Sequence, residues 1–317
     1  MMLPRPKAFP GASCALSCDG GTRRDEEVVV RSDPEACGES QRFRIHGSPP
    51  YRVAVIHGGP GAGGEMEPVA RELASDGGVF EPFQRARTLT GQVEELVELL
   101  AGHVAVPAVL VGYSWGAWLV LLAAARASEV ARSLILVGSG PLEPHYADEL
   151  LATRRSRLSR NQREAFDACL AMLEGNAEEH EKSRALMRLG VLARITDTYE
   201  ADSRYAVEAS PCAAETNPYH KVLAEALEMR RTGALLHAVS AIRCPVSVIH
   251  GGHDPHPAAG VIEPLRAVLP DPRFVLLKRC GHTPWIERHA RGPFFRALRE
   301  EIAAGLRGAP AAPEQRE

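Results

Sequence analysis

An α/β fold, a mostly parallel sheet covered by helices on both faces, is what this sequence predicts, and three observations carry the prediction. From Arg42 onward, short apolar runs of strand length alternate with longer segments of helical composition. Those runs are almost continuously apolar, as expected for parallel strands buried on both faces. One of them, Val109-Leu110-Val111, passes through Gly112-Tyr113-Ser114-Trp115-Gly116 straight into the helical run Trp118 to Ala125. That is a strand, a tight turn and a helix in immediate succession.

Taken in order, strands are expected at Arg52 to Ile56, Val109 to Val111, Leu134 to Val137, Val246 to Ile249 and Phe274 to Leu277. Helices are expected at Gly91 to Leu100, Trp115 to Ala127 and Gly260 to Leu269. From Pro141 to Leu235 the strand pattern stops, and charged helical segments follow at Asp148 to Leu158, Asn161 to Leu173, Glu178 to Leu189 and Lys221 to Arg230. Because this stretch stands between strands of one sheet, residues 141–235 are expected to be an inserted helical cap. The core then consists of residues 41–140 and 236–306. Residues 1–40 read as a polar extension with one candidate edge strand, Glu27-Val28-Val29-Val30, and residues 307–317 as a disordered tail.

Size and charge narrow the function classes. A chain of 317 residues can bury a full core without disulfides. Its 37 basic and 40 acidic residues leave a formal charge of -3, too small a field to argue for nucleic acid or an anionic membrane as partner. The longest clean apolar run, Ala117 to Ala125, is far short of the roughly 20 residues that cross a bilayer. No apolar stretch of secretory-signal length lies in residues 1–25. The seven cysteines are scattered and odd in number, which fits free thiols in a reducing, cytoplasmic setting. Cys14 and Cys18 read as incidental cysteines of a tail.

The chemistry begins at Ser114. A serine on a strand-to-helix turn flanked by glycines is pushed out of the backbone as a candidate nucleophile. Its hydroxyl is weak at neutral pH and needs a base, and the base needs a group to orient it. His282, in Cys280-Gly281-His282-Thr283-Pro284-Trp285, follows the last expected strand. Asp254, in His250-Gly251-Gly252-His253-Asp254-Pro255, follows the strand before it. Both therefore stand at carboxyl ends of strands, on the same rim as Ser114. Asp254 also suits a turn before Pro255, and the competing acid is Glu143. His250, His253, Asp254 and His256 are dense enough to suggest a metal, but no second ligand cluster accompanies them. His253 and His256 are read as loop residues. A glycine loop, His57-Gly58-Gly59-Pro60-Gly61, follows the first expected strand and could offer amides to a developing oxyanion. The hole is assigned to the N–H groups of Gly59 and Trp115, with Gly58 as the alternative first donor.

These four pieces, in the order Ser, Asp, His, resemble the α/β-hydrolase superfamily across roughly residues 42–306. The HGGPG loop and the GHTPWIER run are most similar to its prolyl iminopeptidase-like branch. The resemblance implies the α/β-hydrolase fold, a triad of Ser114, Asp254 and His282, no metal or organic cofactor, and a cap that selects a small ester, amide or short-peptide substrate. Two departures from that branch stand out. Its DQRGxG-type segment is replaced by Gly78-Val79-Phe80-Glu81-Pro82-Phe83-Gln84, and Tyr113 stands where it commonly has Gly. A proline-type aminopeptidase and a hydrolase-fold receptor without turnover remain open beside an esterase. Dehalogenation is disfavoured, since in this fold it uses a carboxylate at the position of Ser114.

Overall fold

The computed structural model describes residues 42–205 and 219–307. The expected edge strand at 27–30, Cys14, Cys18 and the tail at 308–317 lie outside the described residues. Among the described residues, seven strands form one sheet: β1 (Phe43–His46), β2 (Tyr51–Ile56), β3 (Gly78–Pro82), β4 (Ala108–Tyr113), β5 (Ala131–Val137), β6 (Val246–Gly251) and β7 (Arg273–Leu277). Their spatial order is β1-β3-β2-β4-β5-β6-β7. Only β1 runs antiparallel, against β3.

The continuous apolar runs have a direct cause, because successive side chains point to opposite faces and both faces are covered. Ala54, Ile56, Leu110, Leu134, Leu136 and Val248 pack on the side of α2 (Leu89–His103), α3 (Trp115–Arg126), α8 (Ala234–Val239) and α9 (Ala259–Val268). Their chain neighbours Val53, Val55, Val109, Val111, Ile135 and Ile249 pack on the other side, against α1 (Glu67–Leu73) and α10 (Arg291–Arg307).

Two strands were not among the expected runs. β1 is short and half polar, and β3 carries Glu81 as the fourth of its five residues. The Glu81 side chain is fully buried, which the apolar pattern could not foretell. Across the β1–β3 pair, His46 Nε2 meets its carboxylate at 3.0 Å, and Arg44 stands 3.9 Å away. Local polarity thus hid a strand whose buried carboxylate meets His46 of its antiparallel partner through one oxygen.

Between β5 and β6 the described residues hold helices and no strand of the sheet: α4 (His145–Arg157), α5 (Arg160–Glu174), α6 (Glu179–Asp197) and α7 (Tyr219–Arg231) precede α8. The first three share a small core of their own, built on Leu158, Phe166 and Leu192. α7 behaves differently: its Val222 and Ala226 enter the main core, and its Glu225 accepts the Leu89 amide that opens α2 at 2.7 Å. α6 runs past the expected Leu189 to Asp197, which carries it to the rim of the sheet where Ser114 stands. Among the described residues no helix is long and apolar enough to cross a membrane. Cys169, Cys244 and Cys280 are free thiols.

Candidate active site

Ser114 sits between the end of β4 and the start of α3 with φ 52° and ψ -111°. Positive φ is unfavourable for a residue with a side chain, so the surrounding backbone must hold it there. The flanking glycines explain how. A Cβ on Gly112 would collide with the Gly116 carbonyl, and a Cβ on Gly116 with the carbonyls of Ile56 and His57. Two backbones therefore touch directly, β2 against the first turn of α3. The Ser114 amide donates to the Val137 carbonyl at 2.9 Å, which ties the turn to β5.

His282 arrives on the loop after β7. Its Nε2 is 3.0 Å from Ser114 Oγ, and its Nδ1 is 2.7 Å from Asp254 Oδ2. A carboxylate accepts, so Nδ1 carries the proton and Nε2 is left to accept from the serine hydroxyl. The three residues are thus brought together, with Asp254 and not Glu143 on the His282 ring. Burial would raise the Asp254 pKa, but the charges of His282, His256 and His250 and the bond from His256 outweigh it, leaving Asp254 well below the usual carboxylate range. Burial likewise opposes charging of His282. The Asp254 charge and hydrogen bond exceed that effect, so the His282 pKa is raised above its ordinary value.

The loop around His282 is clamped from several sides. Its amide donates to the Asp197 carbonyl at the end of α6 at 2.7 Å. Glu287, fully buried, accepts the amides of Gly281 at 2.9 Å, Tyr199 at 2.8 Å and Glu200 at 2.7 Å, joining this loop to the segment that follows α6. Tyr113, the residue that departs from the branch pattern, reaches Thr283 Oγ1 at 2.8 Å and packs its ring against Trp285 at 4.6 Å. Its hydroxyl secures the residue next to His282.

His256, read from sequence as a loop residue, belongs to the site. Its ring Nδ1 is 2.7 Å from Asp254 Oδ1, and its ring stacks on His282 with centroids 4.5 Å apart. His253 does face elsewhere, edge-on to Tyr199 at 5.2 Å. Asp254, His256 and His282 each offer a ligand atom within 4.8 Å of the others. In the hydrogen-bonded arrangement, however, both rings direct an N–H at Asp254, and a metal would have to displace such protons.

On the oxyanion side, Gly59 follows β2 with φ +41°. His57 is buried, and burial lowers its pKa so that it stays neutral; its Nδ1–H donates to the Gly58 carbonyl at 2.8 Å and shapes the turn. Gly58 is boxed in: a Cβ there would lie 2.7 Å from Glu65 Oε2 and 2.8 Å from the Tyr113 ring. The Glu65 carboxylate thus stands directly against this stretch of the loop. The Trp115 amide opens α3 and has no acceptor within the helix. Glu65 itself was not foreseen. Its side chain reaches solvent. Nearby protein nonetheless raises its carboxyl above the usual range, opposed by the charges of His282 and Arg194 and by the Gly58 amide.

Two surface grooves of about 420 and 380 Å³ lie along α7 and α8, and neither is lined by Ser114, Asp254 or His282. The converging polar groups, not the groove volumes, mark the candidate site.

Residues 46–292 match the alpha/beta hydrolase family. No curated protein is similar enough in sequence to count as a relative. Among solved structures, the chain is similar to VinJ, with a TM-score of 0.60 and 20% identity over 83% of this chain and 94% of that one. It is similar to a thermophilic esterase from Thermogutta terrifontis, TM-score 0.52 and 19% identity over 83% and 93% of the two chains. A third similar structure comes from work on carboxylesterases of the thaumarchaeon Nitrososphaera gargenis, TM-score 0.55 and 15% identity over 83% of this chain and 94% of that one. At such identities the likeness is one of fold, while the family match spans most of the sequence. The chain belongs to the alpha/beta hydrolase family.

Proposed function

We propose that the protein is a serine hydrolase that cleaves an ester or amide bond of a small substrate through an acyl-enzyme at Ser114. The observation that carries the reading is the unbroken chain of hydrogen bonds Ser114–His282–Asp254, at 3.0 and 2.7 Å, with the serine held at a positive φ. Ser114 Oγ attacks the carbonyl carbon while His282 Nε2 takes its proton. The oxyanion accepts from the amides of Gly59 and Trp115, each worth about 3 kcal/mol of barrier. The carbon–leaving-group bond breaks as His282 returns the proton to the leaving oxygen or nitrogen. Water then attacks the acyl carbon, His282 takes its proton and passes it to Ser114 Oγ, and the acid departs. Asp254 stabilises the imidazolium formed in each half.

Helices α4 to α6 act in this reading as a cap over the site, supported by the contact of the Asp197 carbonyl with the His282 amide. A small ester, amide or short peptide is the substrate class, and the chemistry needs no cofactor. A second reading is a prolyl iminopeptidase-like aminopeptidase. What favours it is Glu65, a carboxylate beside the oxyanion loop that could hold a substrate ammonium. A receptor without turnover has no use for the Asp254 contact.

Incubation with a fluorophosphonate probe tests the first reading: wild type is labelled and Ser114→Ala is not. Labelling that persists in the variant contradicts it. Proline aryl-amides offered beside short aryl esters separate the two hydrolase readings. Cleavage of esters alone removes the aminopeptidase, whereas amide cleavage lost in Glu65→Gln, with ester cleavage kept, supports it.

A further inference from the structure

The two oxygens of Asp254 serve different rings. Oδ2 accepts from His282 Nδ1 at 2.7 Å, whereas Oδ1 accepts from the His256 ring at 2.7 Å and from the His256 backbone amide at 3.0 Å. The backbone bond is a local turn that any residue except proline could make at 256. The ring bond needs a side-chain donor at that position. His256 is braced in turn, since its carbonyl lies 2.8 Å from His250 Nε2. A carbonyl only accepts, so His250 carries its proton on Nε2.

We infer that His256, braced by His250, is a positioning residue: it holds the Asp254 carboxylate in the rotation that leaves Oδ2 facing His282, and so keeps His282 aligned on Ser114. The inference rests on the serine-hydrolase reading of the same site. A carboxylate turns easily about its last torsion, and with only a backbone amide on Oδ1 it can rock away from His282. The ring bond opposes that motion and also satisfies a buried oxygen that would otherwise lack its second partner.

The arrangement works with His256 neutral. An imidazolium there would repel the one formed on the stacked His282 ring each time Ser114 gives up its proton. Burial supplies the condition, pushing the His256 pKa down to about 4 against the pull of Asp254. The groups facing His256 are Asp254 and His250 from β6 and the loop after it, His282 from the loop after β7, and Arg154 from α4. Those facing His282 are Asp254, Asp197 at the end of α6, Arg154, Glu65 from the loop after β2, and the Tyr113 ring.

The test compares His256→Asn with His256→Leu, two side chains of similar shape of which only Asn keeps an N–H close to the position of Nδ1. Fluorophosphonate labelling of Ser114, and kcat and KM on an aryl ester, are followed across roughly pH 5 to 9, the window in which histidine titrates. His256→Leu is expected to lower kcat and the labelling rate by about 10- to 100-fold, the usual range for losing a group that orients a working ligand, with KM nearly unchanged. Its acid limb moves to lower pH, because a looser Asp254 raises His282 less. His256→Asn restores most of the rate and the limb. A Leu variant with the wild-type rate and profile, or an Asn variant as impaired as Leu, overturns the inference. Should the Leu variant not fold, imidazole nitrogen NMR of the wild type decides: a neutral His256 with its proton on Nδ1 at neutral pH is expected, and a charged ring or the other tautomer overturns it. Absence of any labelling of wild-type Ser114 sinks the hydrolase reading instead, while the NMR result still reports on the His256–Asp254 bond.

Discussion

Gly138, just beyond the end of β5, leaves no room for a side chain against His282: a Cβ there would lie 3.1 Å from the ring Nδ1 and 3.0 Å from the backbone carbonyl. Its φ of +53° independently favours glycine. The strand that ties down the Ser114 turn through Val137 thus also sets the floor beneath the His282 ring.

Gly138→Ala is accordingly expected to cost about 1 kcal/mol of stability through its φ, and more in activity. Displacing His282 by a few tenths of an ångström loosens both of its bonds. We expect kcat to fall at least 10-fold with a small change in KM, since misplacement of about 1 Å can cost 100-fold. Steady-state kinetics beside a thermal melt separates the two effects, and an unchanged kcat would show that the contact is slack.

Ser114→Gly removes the proposed nucleophile and the strain together. Relief of the positive φ is worth about 1 kcal/mol, partly offset by the lost bond to His282. The variant is expected to be inactive and at least as thermostable as wild type. A markedly lower Tm than that of Ser114→Ala would argue that the turn stores no strain.

Acid should act on stability and activity by different groups. His256 has a depressed folded-state pKa, so its contribution is intact above its ordinary value of 6.5 and is lost progressively as pH falls toward about 4. At about 1.4 kcal/mol per pH unit, the loss is roughly 3 to 4 kcal/mol at most. Asp254, also depressed, adds its loss below its ordinary 3.8. His282 runs the other way: its pKa is raised, so its stabilisation is complete below 6.5 and disappears as pH rises through the folded value. As a base it must be neutral, so activity rises over that same interval. Urea melts and initial rates measured across the range check both, and activity that persists well below pH 6.5 would contradict the assignment of His282.

Glu287→Ala is expected to be among the most damaging substitutions away from the triad. It leaves three amides, those of Gly281, Tyr199 and Glu200, without their buried acceptor. At about 1 to 3 kcal/mol for each unsatisfied group, a loss of several kcal/mol follows. Glu287→Gln keeps the shape and one good acceptor and should lie between. Chemical denaturation gives the ranking, and equal stability of all three proteins would refute the clamp.

The comparison of sequence and structure divides along the range of the forces involved. Ser114 and its two glycines are legible because a strand, a turn and a helix are local patterns. The buried strands are legible because helices on both faces demand an apolar residue at every step. β3 escaped notice because Glu81 breaks that pattern, and only its pairing with β1 brings His46 to the carboxylate. The order Ser, Asp, His pointed to Ser114, Asp254 and His282, yet the HGGHDPH stretch offered three histidines around Asp254 with nothing to rank them.

What the amino-acid order alone determined, then, is the layered sheet, the strand-turn-helix at Ser114 and the identity of the three groups joined by hydrogen bonds there. Tertiary structure decided that His256 turns inward onto Asp254 while His253 turns to Tyr199, that Glu65 stands against Gly58, and that Glu287 fastens the His282 loop to the end of α6. Periodicity records which face of an element is buried. Which charge or donor waits on the facing element depends on chain segments far apart in sequence, and it is settled only when the sheet brings them within hydrogen-bonding distance.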